Sequence, residues 1–179
     1  MSFKREESSA VIKDNKEVVE VIKKTIGSSD ITEEAYNNTE VRVLEKNGVL
    51  ITIVFVPEDM FRAIKKEKLS IIENVEEALG GTVFVVRGRV IEEVEGRGGK
   101  SVIRSSVSYA DYQELVAEDL VSPSHLVDRR TVVREDGSRV EKMITDSKCK
   151  KDMANRFEPM SLVFEDMFGK KAVFQANYY

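Results

Sequence analysis

Each half of the chain carries a glycine-marked turn followed, 32 positions later, by a second glycine, and this spacing constrains the fold more than any other feature. The pairs are Gly48 with Gly80 and Gly137 with Gly169, and the halves are offset by 89 positions in both cases. The first glycine of each pair follows Asn or Asp, the strongest local signal for a β-hairpin. The second ends an amphipathic stretch of helical period and precedes a short apolar strand. The sequence therefore predicts two hairpin–helix–strand (ββαβ) units in tandem, although too few other side chains match to support a duplication.

The first unit is predicted from an apolar strand that is flanked by turn residues. The run from Val49 to Val56 is apolar on both faces, which is typical of a central strand, and Pro57 ends it. A right-handed crossover helix should join this strand in parallel to the next one. The elements expected between residues 11 and 87 are a helix over 11–26, a loop over 28–39, a hairpin over 41–56, a helix over 58–79 and a strand over 82–87.

The middle of the chain does not follow the ββαβ pattern, whereas the second unit repeats the order of elements of the first. Residues 88–108 contain four glycines and four serines and are predicted to form either a flexible loop or a protruding ribbon. The remaining predicted elements are a short helix over 109–120, strands over 131–134 and 139–145, a helix over 153–168 and a strand over 172–176. Pro159 should kink or restart the last helix, whose Met and Phe residues should form a core face. The predicted fold class is α+β: two ββαβ units with mixed sheet, an N-terminal helix and a central short helix, in one domain over 1–179.

The composition is that of a soluble protein in a reducing compartment. Hydrophobic residues make up 41% of the 179 residues and charged residues 34%, and the net charge is -4. Cys149 is the single cysteine, which excludes an intrachain disulfide and a multi-cysteine zinc site. The first residues contain no apolar signal segment, and the run from Val49 to Val56 is far shorter than the roughly 20 residues of a membrane span. We therefore expect a cytosolic protein without membrane contact.

Positive charge is concentrated in one block although the chain as a whole is acidic. Residues 129–151 hold 8 basic and 4 acidic side chains, and further basic residues crowd into 87–104. The net charge argues against a uniformly basic nucleic-acid coat. A basic strand pair can be a solvated surface, or it can bind phosphates, where each Lys or Arg displaces condensed counterions. Both interpretations stay open at this point.

No group of residues in the sequence indicates catalysis or a cofactor. The stretch 96–101 ends like a phosphate-binding loop, but Val94 stands where the pattern needs its first glycine, and poor helix formers follow. A predicted hairpin separates Cys149 from the single histidine, His125, so an incidental thiol is favoured over a nucleophile–base pair. Adjacent acidic residues such as Glu92-Glu93 point in different directions and do not suggest an acid–base dyad. We expect no catalytic residue, no metal and no cofactor.

The most recognisable segment of the chain surrounds the second hairpin. Residues 118–124 have the sequence E-D-L-V-S-P-S, Arg129-Arg130 follow on a basic strand, and residues 136–139 form a D-G-S-R turn. In this segment, and more loosely over 40–179, the chain resembles the eukaryotic small-subunit ribosomal protein family S7e. The resemblance implies a structural constituent of the cytoplasmic small ribosomal subunit that supports translation and subunit assembly. It also implies small-subunit rRNA and neighbouring ribosomal proteins as partners, nucleolar transit during assembly, and no small-molecule substrate.

Several residues depart from the pattern of that family. The family usually has a longer basic segment at the position of residues 88–108, which here contain Glu92, Glu93 and Glu95. Glu76-Glu77 stand where a basic helix end is usual, and Val83 stands where a histidine is expected. The chain therefore looks like a shortened, acidic member of the family, which implies fewer contacts with rRNA and more contacts with neighbouring proteins.

Two sets of basic residues are expected to bind rRNA phosphates, one within 87–104 and one on the hairpin of 129–151. Because side chains alternate along a strand, Arg130 and Arg134 should share one face and Arg129 the other, so one or two hairpin arginines should pair with acids instead. A protein-interaction module outside the ribosome is the alternative, and an enzyme is the least supported hypothesis. The expected rRNA-binding residues are Arg87, Arg89, Arg97, Lys100, Arg104, Arg129, Arg130, Arg134, Arg139, Lys142, Lys148, Lys150 and Lys151.

Overall fold

The computed structural model describes residues 15–26, 31, 33–65, 68–89, 91–95, 101–105, 107–146 and 153–177. Its helices are α1 (Asn15–Ile26), α2 (Glu33–Asn37), α3 (Glu58–Lys65), α4 (Lys68–Leu79), α5 (Tyr109–Val121) and α6 (Phe157–Phe168), with a 3-10 turn at Ala154–Arg156 before α6. Its strands are β1 (Glu40–Lys46), β2 (Val49–Val56), β3 (Thr82–Arg87), β4 (Ile91–Glu95), β5 (Ser101–Ser105), β6 (Leu126–Val133), β7 (Arg139–Thr145) and β8 (Ala172–Ala176). The predicted α+β class is confirmed.

The first sheet has the strand order β1-β2-β3. β1 and β2 pair antiparallel across the predicted turn, where Asn47 and Gly48 have φ angles of 54° and 74°. Positive φ at both central residues is what a type I′ hairpin turn requires. β2 and β3 pair in parallel, with Ile51 opposite Thr82, so the predicted parallel crossover is confirmed.

The expected loop over residues 28–39 is wrong, because the short helix α2 lies within it. Ala35 and Tyr36 of this helix are buried. The Thr39 hydroxyl donates a hydrogen bond of 3.0 Å to the Ala35 carbonyl and closes the helix end. Tertiary burial of two side chains therefore orders a segment whose local composition is that of a turn.

The structure describes two helical segments within the expected helix over residues 58–79, α3 and α4. Residues 66 and 67, and residues 11–14 of the predicted first helix, lie outside the described residues.

The second sheet repeats the topology of the first. Its order is β6-β7-β8, with β6 antiparallel and β8 parallel to the central strand β7. β6 begins at Leu126 rather than at the predicted Thr131. Pro159 lies in the first turn of α6, after the 3-10 turn, so the predicted restart of this helix is confirmed, as is its end at Gly169.

The matched glycine spacing has a simple structural basis. The four glycines have positive φ, and they occupy the hairpin turn and the helix end of each unit: Gly48, Gly80, Gly137 and Gly169. L-residues avoid this region of φ because Cβ meets the neighbouring backbone. The spacing therefore marks the same two chain reversals in both units.

A third, two-stranded sheet lies between the units along the chain. β4 and β5 pair antiparallel, with Ile91 opposite Ser105 and Glu95 opposite Ser101. The helix α5 follows, and the Ser108 hydroxyl caps it by accepting a hydrogen bond of 3.2 Å from the Asp111 N–H.

Helices cover the first sheet on both faces. α1, α3 and α4 pack against one face, where Val54 and Val83 are fully buried. α5 and α6 pack against the other face, and the second sheet covers these two helices from their far side. Met160 and Phe164 of α6 are fully buried between the two sheets. The Met and Phe residues of α6 thus form a core face, as predicted.

One arginine of the second unit is bonded to the first. Arg156 Nη2 donates hydrogen bonds to the Glu76 carboxylate of α4, at 2.5 Å, and to the Val83 carbonyl of β3, at 2.8 Å. Glu76 also accepts a hydrogen bond of 2.9 Å from the Val83 N–H. The Arg156 guanidinium lies 5.3 Å from the centroid of the Phe84 ring. Glu76, a departure from the resembled family, is here a structural contact.

Candidate nucleic-acid interface

The register of the second sheet sorts the hairpin side chains onto two faces. Arg130 lies directly opposite Lys142, and Lys142 lies opposite Val173 of β8. Arg129 lies opposite Met143, a fully buried core residue, and therefore faces α5 and α6. We call the side that carries Arg130 and Lys142 the outer face. Its side chains are those of Asp128, Arg130, Val132, Val140, Lys142, Ile144, Val173 and Gln175.

The outer face is open. Val173, on the edge strand β8, is 41% exposed, and Arg130 is also exposed. A shallow cleft of about 390 Å³ lies on this face and is lined by Asp128, Arg130 and Ile144, together with β8 residues. No outer-face residue except Val140 is among the buried hydrophobic residues of the described chain. The second sheet therefore offers one side to the core and the other to solvent or a partner.

Arg129 is tied to the inner side of the hairpin. Its Nε donates a hydrogen bond of 3.1 Å to the Glu141 carboxylate, and its Nη2 lies 3.3 Å from the Gln113 amide oxygen of α5. Thr131 also donates to Glu141, at 2.9 Å. On the outer face Arg130 pairs with Asp128. The expectation that one or two hairpin arginines pair with acids is confirmed.

The hairpin turn adds two exposed cations to this region. Arg134 and Arg139 flank the turn, and neither is within ion-pair distance of an acid among the described residues. The Asp136 carboxylate accepts a hydrogen bond of 2.9 Å from the Ser138 N–H, and hydrogen bonding by Ser138 lowers the pKa of Asp136. The Asp136 carboxylate thus stabilises the turn through this hydrogen bond, and the two arginines remain available to bind an anion.

Arg87 is committed to the interior. Its guanidinium and its own backbone N–H bind the Asp119 carboxylate of α5 at distances of 2.8–3.2 Å, and Asp119 is 3% exposed. Hydrogen bonding to Asp119 raises the pKa of Arg87. Because Asp119 belongs to the E-D-L-V segment, that recognisable stretch here joins α5 to β3.

The structure describes only some of the remaining residues that were expected to bind rRNA. Arg89 is exposed, and its Nε lies 3.2 Å from the Ser105 hydroxyl of β5. Arg104 lies on β5, but its side chain is outside the described part of the structure. Four lysines and one arginine of the prediction lie outside the described residues altogether: Arg97, Lys100, Lys148, Lys150 and Lys151.

Two contacts of the interface region were not predicted from the sequence. Asp119 is the buried partner of Arg87, and the only signal in the sequence was a carboxylate on the apolar side of the helix, three residues after Val116 and one before Leu120. Lys170 shares the Gln113 amide oxygen with Arg129, at 3.1 Å, and no local pattern indicates that contact. Within the described ranges, no cluster of three potential metal ligands occurs, and no helix is long and apolar enough to cross a bilayer.

Comparisons with known proteins agree with the resemblance. The family described as "Ribosomal protein S7e" matches residues 13–176. "Small ribosomal subunit protein eS7" of Avicennia marina is 25% identical over 141 residues, which cover 78% of this chain and 74% of that protein. "Small ribosomal subunit protein eS7z" of Arabidopsis thaliana is 26% identical over the same shares of the two chains.

A solved structure titled "Crystal structure of APE1850" aligns with 89% of this chain and 96% of that chain at 17% identity. Its TM-score of 0.43 is too low to support an argument. The family match, by contrast, spans most of the sequence and agrees with the motif around the second hairpin. The chain therefore belongs to the Ribosomal protein S7e family, a family of structural proteins rather than enzymes.

Proposed function

We propose that the protein is a structural constituent of the small ribosomal subunit and that its outer face binds rRNA phosphates. Family membership and the names of the relatives from Avicennia and Arabidopsis support the ribosomal assignment. The protein would act in cytoplasmic ribosomes, where it contacts small-subunit rRNA and neighbouring ribosomal proteins.

The observation that carries the phosphate site is the placement of Arg130 directly opposite Lys142. Like charges at directly opposed positions of an antiparallel pair destabilise the sheet. A phosphate between them relieves this repulsion, and Arg binds phosphate oxygens through two parallel N–H donors while Lys acts as a point charge. Asp128 neutralises Arg130 only in part, since the pair is solvent-exposed and screened.

The turn arginines add positive charge at the end of the same hairpin, where strand alternation places Arg134 with Arg130 and Arg139 with Arg129. Arg134 and Arg139 lie at the end of the hairpin and are exposed. Each additional phosphate contact releases counterions, so a short row of cations gains affinity without base-specific contacts. Arg87 and Arg129 are left out of the proposed interface because buried or partly buried carboxylates hold their guanidinium groups.

The test is a charge reversal on the outer face with a matched control elsewhere. The variant Arg130→Glu with Lys142→Glu should leave the small-subunit fractions of a sucrose gradient. The control, Arg62→Glu with Lys65→Glu, changes the net charge equally on the exposed surface of α3 and should co-sediment like the unchanged protein. Equal incorporation of both variants would contradict the proposed surface.

A second measurement separates phosphate contacts from loss of fold. Binding of the purified protein to a small-subunit rRNA fragment should weaken with salt, and the outer-face variant should reduce the salt slope by about 1 to 2. Its free energy of unfolding should stay within about 1 kcal/mol of the unchanged protein, since both side chains are on the surface. An unchanged salt slope would contradict the proposed contacts.

Assembly in the nucleolus is part of the proposal. Newly made small-subunit proteins that join early should pass through the nucleolus before they reach cytoplasmic ribosomes. A pulse-labelled tagged copy should therefore appear in nucleoli first and in cytoplasmic subunits later. Appearance in cytoplasmic subunits with no nucleolar phase would contradict this step.

A protein-interaction module outside the ribosome is the second candidate. Three exposed valines of the second sheet favour it: Val127 is 56%, Val133 60% and Val173 41% exposed. Exposed apolar side chains beside charges are typical of protein interfaces as well as of ribosomal neighbours. If the protein stays at the top of the gradient, this second candidate replaces the ribosomal proposal.

A further inference from the structure

A cleft of about 500 Å³ opens at the carboxyl ends of the parallel strands β2 and β3. Its walls come from β1 and β2, from the residues that follow β3, and from α5 and the end of α6. The aromatic and cationic side chains in its lining are those of Arg42, Phe55, Arg89, Tyr109, Tyr112 and Phe168. The hairpin basic residues Arg130 and Lys142 do not line it, so this site is separate from the outer face.

Aromatic rings form a fixed wall of the cleft. The Phe168 ring meets Tyr109 at a centroid distance of 5.8 Å and Tyr112 at 6.0 Å, both nearly perpendicular. The Tyr112 hydroxyl donates a hydrogen bond of 3.2 Å to the Arg87 carbonyl, which holds its ring in place. Tyr109 is 50% exposed although its ring packs against that of Phe168. The wall is therefore preorganised and has one ring open to solvent.

Two arginines flank this wall. The Arg89 guanidinium lies 5.8 Å from the Tyr109 centroid and 5.9 Å from that of Tyr112. Arg42 lies 5.4 Å from the Phe55 centroid, and its nearest acid, Asp166, is 3.8 Å away. Arg89 has no acid within ion-pair distance in the described part of the chain. One exposed ring thus lies beside an arginine that has no acidic partner among the described side chains.

We propose that this cleft holds an unpaired RNA base stacked on Tyr109, with Arg89 at the adjoining phosphate. The inference rests on the proposed ribosomal function and deepens it. Exposed aromatic rings next to arginines are the means by which proteins bind single-stranded RNA, because every base offers a π-face and every nucleotide a phosphate. The volume suits one nucleoside, as small-ligand sites begin at roughly 300 Å³.

The rim of the cleft supplies groups for the base edge. Asn38 and Glu40 line the side formed by the start of β1. An amide can exchange two hydrogen bonds with adenine, and a carboxylate can accept from an exocyclic amino group. Polar groups of Asn38 and Glu40 together with the Arg89 guanidinium match the base edge and the phosphate of a nucleotide better than they match an apolar peptide. A base with an amino group is therefore the occupant that the cleft favours.

The test compares two substitutions of one residue in intact small subunits. Tyr109→Ala removes the stacking surface, whereas Tyr109→Phe keeps the ring. Reagents that modify the exposed edges of all four bases should reveal an rRNA nucleotide that is protected with the unchanged protein and with Tyr109→Phe. That nucleotide should become reactive with Tyr109→Ala, and also with Arg89→Gln, which keeps the rings and removes the cation.

A second readout uses the purified protein and a short single-stranded RNA that contains the exposed nucleotide as the fluorescent analogue 2-aminopurine. Tyr109→Ala should weaken binding by about 5- to 150-fold, the range that loss of one stacked base produces, while Tyr109→Phe should change it little. The fluorescence quenching that stacking causes should also disappear with Tyr109→Ala.

The possible outcomes separate this site from the proposed function. If Tyr109→Ala is incorporated into subunits and no rRNA reactivity changes, the base-binding site is overturned and the ribosomal function stands. Loss of a neighbouring protein from such subunits would assign the cleft to a protein segment instead. If the unchanged protein is absent from subunits, the function fails, and the inference fails with it.

Discussion

The central strands of the two sheets have the same topology but opposite surroundings. β2 has the sequence VLITIVFV and is covered by helices on both faces, whereas β7 has the sequence RVEKMIT and is covered on one. In β7, Met143 faces the core and Lys142 faces outward, and a charge occupies the outward position that β2 fills with an apolar residue. The comparison teaches that a repeated topology does not repeat its function: the first sheet is buried on both faces, whereas the second is buried on one face and presents the other.

The largest difference should appear between substitutions on the two sides of the second sheet. Phe164→Ala removes a fully buried ring between the sheets and should lower the free energy of unfolding by about 3 to 5 kcal/mol. Val173→Ala, on the open outer face, should cost less than about 1 kcal/mol. Urea denaturation of both variants measures the contrast. Similar losses would mean that the outer face is covered and would break the comparison.

The next contrast is between a buried and an exposed ion pair. Asp119→Ala leaves Arg87 without its buried carboxylate and should destabilise the protein by about 3 kcal/mol. Asp128→Ala removes the exposed partner of Arg130 and should change stability by less than about 1 kcal/mol. Thermal unfolding of the two variants gives the answer, and a large loss for Asp128→Ala would show that the outer-face pair is more than a surface contact.

A smaller difference in stability is expected between alanine substitutions at one glycine of each unit, Gly81 and Gly137. A Cβ at Gly81, which has φ of +84°, would lie 2.5 Å from the Leu50 carbonyl oxygen of β2. At Gly137, with φ of +80°, a Cβ would meet no atom within 4 Å. Gly137→Ala should therefore cost about 1 to 2 kcal/mol, the conformational penalty alone, and Gly81→Ala clearly more. Equal costs in urea denaturation would show that the backbone at Gly81 can move away from β2.

The smallest expected effect is a pH dependence of stability that the second hairpin turn has and the first lacks. The first turn has an amide, Asn47, where the second has the carboxylate of Asp136, whose pKa hydrogen bonding by Ser138 lowers. A carboxylate with a lowered folded pKa stabilises the fold above its ordinary pKa, and this contribution is lost as pH falls through the lowered value. NMR titration should place the Asp136 midpoint below that of an ordinary Asp, and Asp136→Asn should remove this pH dependence. A midpoint at the ordinary value would contradict the hydrogen-bonded turn.

Local signals in the sequence predicted most of the fold. The Asn47-Gly48 and Asp136-Gly137 turns, the parallel strand over residues 82–87 and the last strand over 172–176 follow from turn chemistry and from side-chain period, which act over a few residues. The short helix α2 was missed because its order comes from burial of Tyr36 against distant elements. Local pattern contains no information about such contacts.

The site was harder to predict because an arginine's use depends on the acids that the fold brings to it. Arg87 and Asp119 are 32 residues apart in the chain, and Arg129 and Glu141 are 12 apart. The alternation of side chains along a strand did predict that Arg129 and Arg130 lie on opposite faces, because that argument needs only the period of the strand. The cleft around Tyr109 is assembled from several elements and has no signature in any one of them.

The bonds of Arg156 have a consequence for how the molecule unfolds. This residue of the second unit is bonded to α4 and to β3, and the helices that fill the space between the sheets supply apolar contacts to both. Neither unit can then release its strands without exposing the interior of the other, which is the physical basis of a single cooperative transition. A chain cut between the units would leave two incomplete interiors. We therefore expect the repeated architecture to unfold as one unit, with both halves melting together.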